Sequence, residues 1–291
     1  MTYTSPKLLS SRHKYRDDEP LFARRARALG KRLARSVVRA RSDERRVVLI
    51  FGCQRSGTTM LQQTFLDRSW RVFILEEHDH RLVGASPEAE ETTWQEYSTV
   101  LGRIRRLPFE VVAAKPLVES ASATALLDAA GAVKAVWMLR HYPEVARSNV
   151  SRFGIDNPYR DLQPIRSRDA LDWRYKGVTE ETWETVTALM NRRLTPFDSG
   201  ALFWWTRNQL YFDQRLWEDD RIRILRYERA CNQPDEVIQS LSDHIGLALP
   251  LGSIAPRVRT QPLPPETREL DPDVDQLCRK LWDSFEGCPE L

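Results

Sequence analysis

The stretch VVLIFGCQRSGTTML at residues 47–61 contains residue types and spacings that point to anion chemistry. An apolar, β-branched run from Val47 to Phe51 is typical of a buried strand, and two glycines and two threonines follow it in the order of a turn that opens into a helix. Backbone N–H groups in such a turn, together with the positive end of the helix, bind phosphate. Residues 52–59 are therefore predicted to form a phosphate loop.

This loop lacks the lysine of the nucleoside-triphosphate version. That lysine directly follows the second glycine and reaches the β- and γ-phosphates, whereas here the position is Thr58 and the nearest cation is Arg55. A magnesium-bound triphosphate would also need a strand-end Asp, but the third and fourth predicted strands end at Lys115 and Arg140. The sequence therefore favours a different phosphate-containing ligand and no metal.

Strand and helix patterns alternate along the rest of the chain. Strands are predicted at 47–51, 71–75, 109–114, 133–139 and 221–225. Helices are predicted from Ser86 to before Pro108, at 119–130, from Pro143 onward, and at 180–194, 200–217, 234–245 and 273–286, while 154–178 reads as polar and irregular. This alternation predicts an α/β fold, a P-loop parallel sheet with helices on both faces in a single domain.

Polar side chains follow the predicted strands at the end where ligands bind in open α/β sheets. The five strand ends supply the phosphate loop, the pair Glu76 and Glu77, Lys115, Arg140 and Tyr227. Because the carboxyl ends of parallel strands share one edge of the sheet, we expect these groups to converge on one crevice.

A second basic group follows the fourth predicted strand. Ser148 and Arg152 stand eight and twelve positions after Arg140, and a step of four places Ser148 and Arg152 on one helix face near the strand end. Two guanidinium groups and a hydroxyl suit a second phosphate, remote from the loop. Solvated helix residues are the alternative interpretation of the same pattern.

Together these motifs resemble the sulfotransferases that use 3′-phosphoadenosine-5′-phosphosulfate (PAPS). The resemblance covers 47–247 and rests on RSGTT at 55–59, KP at 115–116, the spacing of Arg140, Ser148 and Arg152, and LRYE at 225–228. The arginine before SGTT and the Glu-Glu pair look most like tyrosylprotein and carbohydrate sulfotransferases and their bacterial relatives. Asp79 stands where tyrosylprotein enzymes have Arg, so we expect carbohydrate or small natural-product acceptors ahead of peptides.

The resemblance implies a role for each motif. The donor would be bound by Arg55, Ser56, Gly57, Thr58 and Thr59 at its 5′-phosphosulfate and by Arg140, Ser148, Arg152 and Tyr227 at its 3′-phosphate. Arg55 and Lys115 would be the catalytic cations, and no metal would be required. Two alternatives stay open at this point, a P-loop kinase using ATP and a non-enzymatic nucleotide-dependent adaptor with an acidic partner.

The segment ILEEHDHR at 74–81 offers the general base that the acceptor hydroxyl needs. Glu77 matches the second Glu of the tyrosylprotein-type pattern, and we expect it to be the base. His78 and His80 are the alternative bases, and a metal pair formed by these two histidines is disfavoured because no third ligand is placed.

Positive charge is concentrated before the first predicted strand. Residues 12–46 contain 13 Arg or Lys and 5 Asp or Glu, and apolar residues recur in steps of three and four over 21–40. This predicts a basic, partly helical extension at 1–46 ahead of a domain at 47–291, which ends in a proline-rich segment and a helix. The basic helix could pack on the domain or contact an anionic membrane surface. No nucleic acid is expected.

Composition sets the remaining limits. The chain has 291 residues, of which 41% are apolar, and no stretch approaches 18 consecutive apolar residues. The first 20 residues lack the apolar segment of a signal peptide, so we expect a cytoplasmic protein. The four cysteines have no paired metal spacing, which fits reduced thiols. Trp204 and Trp205 are expected in the core. The resemblance implies that the RVRTQP segment at 257–262 closes over the nucleotide.

Overall fold

A five-stranded parallel sheet forms the centre of the protein. The computed structural model describes residues 45–77, 79, 81–82, 96–131, 133–251 and 269–291. The strands are β1 (Arg46–Gly52), β2 (Val72–Leu75), β3 (Val111–Ala114), β4 (Val133–Leu139) and β5 (Ile222–Arg226). They pair in the order β2-β3-β1-β4-β5, and every pairing is parallel. All five carboxyl ends therefore lie at one edge, which confirms the predicted α/β fold.

Helices connect the strands. The first, α1, is α-helical over Thr58–Met60 and continues as a π-helix over Leu61–Leu66. The others described are α2 (Tyr97–Arg105), α3 (Ala123–Ala130), α4 (Tyr142–Phe153), α5 (Asn157–Arg166), α6 (Glu180–Met190), α7 (Pro196–Asp213), α8 (Tyr227–Asn232), α9 (Pro234–Ile245) and α10 (Pro272–Ser284). Short 3₁₀ helices occupy Leu117–Ser122 and Leu216–Glu218.

The sheet is buried on both faces, as a parallel sheet requires. Side chains alternate between two apolar clusters, so that Leu49 lies in one cluster with residues of α2, α4, α7 and α10, whereas Ile50 lies in the other with residues of α1 and α9. The outer edge of β5 pairs with the C-terminal residues, because the Ile224 N–H donates to Pro289 O and the Leu291 N–H donates to Ile224 O, both at 2.9 Å.

Helix α7 carries the two tryptophans expected in the core. It begins with a capping box between Thr195 and Asp198, and Trp204 and Trp205 are 0% and 7% exposed, which confirms that expectation. The Trp204 indole Nε1 also donates to the backbone oxygen of Arg140 at 2.9 Å. A core residue thus fixes the end of β4.

Two expectations about helices were wrong. Residues 154–178 are not uniformly irregular, because α5 lies there with Pro158 in its first turn and Pro164 near its end. The helix expected from Ser86 onward does not run unbroken to Pro108, since α2 begins at Tyr97, where the Glu96 carboxylate caps the Ser98 and Thr99 N–H groups.

Several predictions fall outside the described residues. These are the basic extension up to residue 44, the start of the helix predicted at Ser86, the segment at 252–268, and both His78 and His80. The division into an extension and a domain stays a prediction. No described helix is both long and apolar enough to span a bilayer.

Candidate functional site

The phosphate loop makes a sharp turn between β1 and α1. Gly52, Arg55 and Gly57 all have positive φ, at 126°, 69° and 96°. A Cβ atom at Gly52 would lie 2.5 Å from Met138 O, and one at Gly57 would lie 2.4 Å from the Tyr227 ring. The two positions need glycine because β4 and α8 approach the loop closely.

The interior of this loop contains an unsatisfied hydroxyl. Ser56 is fully buried, and its Oγ has no hydrogen-bond partner among the described residues. Burial raises the pKa of the neighbouring Cys53 thiol to about 12, so this cysteine adds no negative charge to the loop at neutral pH. A buried hydroxyl without a partner, at the start of a helix, is a group that an anion would satisfy.

The ends of β2 and β3 meet the loop through Lys115. Its Nζ donates to Thr59 Oγ1 at 3.2 Å and lies 3.3 Å from Glu77 Oε2. The side chain of Lys115 is only 8% exposed, whereas that of Glu77 is 27% exposed. A carboxylate, an ammonium group and a hydroxyl from three strand ends are therefore in direct contact.

Arg140, at the end of β4, lies against the other side of the loop. Its Nη1 donates to the Arg55 carbonyl at 3.3 Å, its Nη2 lies 3.4 Å from Glu144 Oε2, and its guanidinium lies 4.2 Å from the centre of the Tyr227 ring. Its buried Nε has no partner among the described residues. In the same region, Arg55 Nε donates to Ser148 Oγ at 3.1 Å.

The predicted site residues thus come together with one difference. Arg152 lies in the last turn of α4 and is exposed, one turn beyond the half-buried Ser148. The phosphate loop, Glu77, Lys115, Arg140, Ser148 and Tyr227 all belong to the contact network described above. Sequence reasoning placed all of these groups at one sheet edge.

Two carboxylates near Arg140 were missed by sequence reasoning. Glu228 Oε1 accepts from the His141 N–H at 3.0 Å, while its buried Oε2 has no partner among the described residues. Glu144 contacts both Arg140 and Arg147. The position of Glu228 directly after Tyr227 in LRYE was the available signal, whereas nothing in the sequence singled out Glu144.

Helix α10 supports this region from behind. Tyr142 donates its hydroxyl to Asp275 Oδ1 at 2.6 Å, and the His141 ring lies edge-on to Trp282 with centroids 5.0 Å apart. Burial lowers the pKa of His141, which favours its neutral form. The residues directly after Arg140 are therefore fixed by the C-terminal helix. In the described part of the chain, no three His, Cys, Asp or Glu side chains cluster as metal ligands.

A comparison with protein families identifies the class. Residues 45–261 match the family described as the sulfotransferase domain, so the chain belongs to that family and is a sulfotransferase rather than an ATP-dependent kinase or a non-enzymatic adaptor. No curated protein has a significant match to the sequence.

Solved structures with related chain paths are distant. A sulfotransferase from Alicyclobacillus acidocaldarius has a TM-score of 0.44 and 16% identity, covering 82% of this chain and 90% of its own. The sulfotransferase domain of the Synechococcus PCC 7002 olefin synthase has a TM-score of 0.44 and 16% identity, covering 83% and 96%. A sulfotransferase from Mycobacterium avium has a TM-score of 0.38 and 11% identity, covering 93% and 79%. At these scores the likenesses decide nothing about the site.

Proposed function

We propose that the protein transfers a sulfuryl group from PAPS to a hydroxyl group of a carbohydrate or small natural product. The observation that carries this proposal is the contact of Arg55 with Ser148, because it joins the phosphate loop to the helix that follows Arg140. A donor with a 5′-phosphosulfate and a separate 3′-phosphate needs two anion sites side by side. The family supplies the reaction class, and this paired arrangement supports the donor.

The residues present fit such a donor. Ser56 Oγ and Arg140 Nε are buried polar atoms without partners among the described residues, and each could donate to a phosphate oxygen. Ser56 and Gly57 would hold the 5′ end of the donor, and Arg140 and Ser148 the 3′-phosphate.

When bound, PAPS supplies the sulfuryl group and leaves as 3′-phosphoadenosine-5′-phosphate (PAP). Glu77 accepts the proton of the acceptor hydroxyl as the acceptor oxygen bonds to sulfur. Lys115, whose ammonium group contacts both Glu77 and Thr59, stabilises negative charge on the departing phosphate. Arg55 provides a second cation from the loop itself. These roles use only side chains, so we propose that catalysis requires no metal ion.

The donor is tested by thermal unfolding with PAP and with Mg-ATP. A ligand at 100 times its dissociation constant adds about 2.7 kcal/mol to the free energy of unfolding, so PAP should raise the melting temperature and Mg-ATP should not. Stabilisation by Mg-ATP alone would contradict the proposed donor. Transfer of labelled sulfate to a panel of sugar and phenolic hydroxyls, in excess EDTA, then tests the acceptor class. Loss of transfer in EDTA with recovery in Mg²⁺ would contradict the metal-independent chemistry.

The cellular context is a further part of this proposal. A cytoplasmic location and contact of the helix predicted at 21–40 with an anionic membrane surface are both suggested by the sequence. Sedimentation of the full chain with vesicles of phosphatidylcholine, with and without phosphatidylserine, tests the membrane contact. Binding that does not depend on phosphatidylserine, or no binding at all, would contradict it.

A further inference from the structure

Asp161 of α5 is a buried carboxylate outside the groups considered so far. It is 2% exposed, and its oxygens accept hydrogen bonds from four side chains. Its Oδ2 accepts from Gln54 Nε2 at 2.7 Å, from Asn157 Nδ2 at 2.9 Å and from Asn149 Nδ2 at 3.3 Å. Its Oδ1 accepts from Arg174 Nε at 3.0 Å. The charge is therefore satisfied, and the carboxylate is the centre of a polar network.

Two of the side chains that donate to Asp161 lie next to residues of the proposed PAPS site, one in the phosphate loop and one in α4. Gln54 directly precedes Arg55 in the phosphate loop, and Asn149 directly follows Ser148 in α4. Arg55 and Ser148 form the first link between loop and helix, at 3.1 Å. The bonds from Gln54 and Asn149 to Asp161 form a second link beside it. Two parallel links fix the distance between loop and helix more firmly than one.

The loop needs such support at Arg55. This residue has φ of 69°, a left-handed conformation that is unfavourable for a residue with a side chain. Arg140 donates to its carbonyl, and Asp161 holds the side chain of the residue before it. In this backbone conformation the guanidinium of Arg55 donates to Ser148.

We propose that Asp161 is a positioning residue that sets the separation between the phosphate loop and α4, and hence between the two phosphate sites of the donor. The proposal rests on the function proposed above. A rigid ligand with two phosphates gains from both sites only when their separation matches its own. A ligand with a single phosphate does not sense this separation. Changes at Asp161 should therefore weaken the binding of PAP more than the binding of either monophosphate.

The test measures dissociation constants of PAP, adenosine 5′-phosphate and adenosine 3′-phosphate by calorimetry for the wild type, Asp161→Asn and Gln54→Ala. Asp161→Asn replaces one acceptor oxygen by a donor, so at least one bond of the network must break. We expect the affinity for PAP to fall at least about tenfold, and the affinities for the two monophosphates to change less than about threefold. Gln54→Ala removes the loop link alone and should show the same pattern, less strongly.

The matched control is Asp198→Asn. Asp198 is also a buried carboxylate that accepts from backbone N–H groups and a hydroxyl, in the capping box of α7. Its loss should lower the melting temperature without changing the ratio of the PAP and monophosphate affinities. The double variant Asp161→Asn with Gln54→Ala should lose less PAP affinity than the sum of the single changes, because both weaken the same polar network.

The outcomes separate the two proposals. If the wild type does not bind PAP, the proposed function is wrong. If the wild type binds PAP but Asp161→Asn and Gln54→Ala keep its affinity ratios, the proposed function stands and the positioning role is overturned. An equal loss for all three nucleotides would also overturn it, since that pattern indicates general damage to the fold. Gln54→Ala keeps the test decisive if Asp161→Asn does not fold.

Discussion

At the carboxyl edge of the sheet, the two strands on either side of β1 end in cations with similar burial and different partners. The side chain of Lys115 at β3 is 8% exposed, and that of Arg140 at β4 is 12% exposed. Lys115 contacts a carboxylate and a hydroxyl at 3.3 and 3.2 Å, so its charge is balanced within the chain. Arg140 has contacts at 3.3 and 3.4 Å and a buried Nε without a partner among the described residues.

This difference suggests that the groups near Lys115 act in catalysis and those near Arg140 in donor binding. Groups that already satisfy one another can act on a substrate without first being rearranged, which suits proton transfer. Groups that keep unsatisfied donors gain most from an anion that comes from outside. Changes at the β2 and β3 ends should therefore affect turnover, and changes at the β4 end should affect binding of the donor.

The largest effect is expected from Glu77→Gln. This change keeps size and hydrogen bonding but removes the ability to accept a proton, so turnover should fall by about 10²- to 10⁴-fold while the affinity for PAP stays near wild type. Single-turnover kinetics and calorimetry measure the two quantities. Glu76→Gln is the matched control and should do much less, because adjacent side chains at a strand end point to opposite sides.

Variants of His78 and His80 test whether Glu77 is the general base. If Glu77→Gln retains most of its turnover and either His78→Ala or His80→Ala loses it, that histidine is the base. If PAP affinity in Glu77→Gln fell as much as turnover, the proposed difference in role between the groups near Lys115 and those near Arg140 would be contradicted.

The next largest effect is expected from Arg140→Ala, at the level of binding. The lost charge-assisted hydrogen bonds are worth roughly 1.5–3 kcal/mol, so the affinity for PAP should fall about 10- to 150-fold. Discrimination against adenosine 5′-phosphosulfate should be reduced as well. Ser148→Ala should give a smaller loss of the same kind. Arg221→Ala is the control, since Arg221 pairs with Asp219 before β5, at the opposite edge of the sheet. Unchanged PAP affinity in Arg140→Ala and Ser148→Ala would contradict the assignment of the 3′-phosphate.

Glu144→Gln is expected to increase the affinity for PAP. Its carboxylate lies 3.4 Å from Arg140 and would repel a phosphate bound there. Like-charge repulsion at a partly exposed site is worth up to about 1 kcal/mol, so PAP affinity should improve by up to about fivefold, and less at high salt. Titrations at two ionic strengths measure both effects. Weaker binding would show that Glu144 instead holds Arg140 in place.

The smallest effect is expected from Arg152→Ala. Arg152 is exposed at the end of α4, where solvent and salt screen its charge. PAP affinity should fall by less than about threefold at physiological salt. A loss as large as that of Arg140→Ala would mean that ligand binding draws Arg152 into the site, and the structural difference between the two arginines would then carry no functional meaning.

The fold was predictable because its strands are short apolar runs that each end in a polar residue. The apolar runs of β1 and β4 predicted buried strands of a parallel sheet. The parallel order of the strands then placed Glu77, Lys115 and Arg140 at one edge. Helix α5 was missed because residues 154–178 are polar and contain prolines, a composition that is also typical of a loop. Pro158 occupies a first-turn position where no N–H is needed.

The Asp161 network could not be read from the sequence. Gln54 and Asp161 lie far apart in the chain, and no local pattern indicates that the two side chains meet. Glu144 was missed for a related reason, since a Glu in the first turn of a helix is explained by the helix dipole alone. Pairwise contacts between distant polar residues depend on the packing of the elements that carry them, which periodicity does not specify.

The contact of Gly57 with the Tyr227 ring has a consequence for how the protein is assembled. The loop is made early during synthesis, whereas Tyr227 directly follows β5 and is made much later. Domains generally fold as units, and contacts between residues far apart in sequence form slowly. A chain truncated ahead of β5 would lack Tyr227 beside Gly57, so under the proposed function PAP should stabilise it less than the full chain.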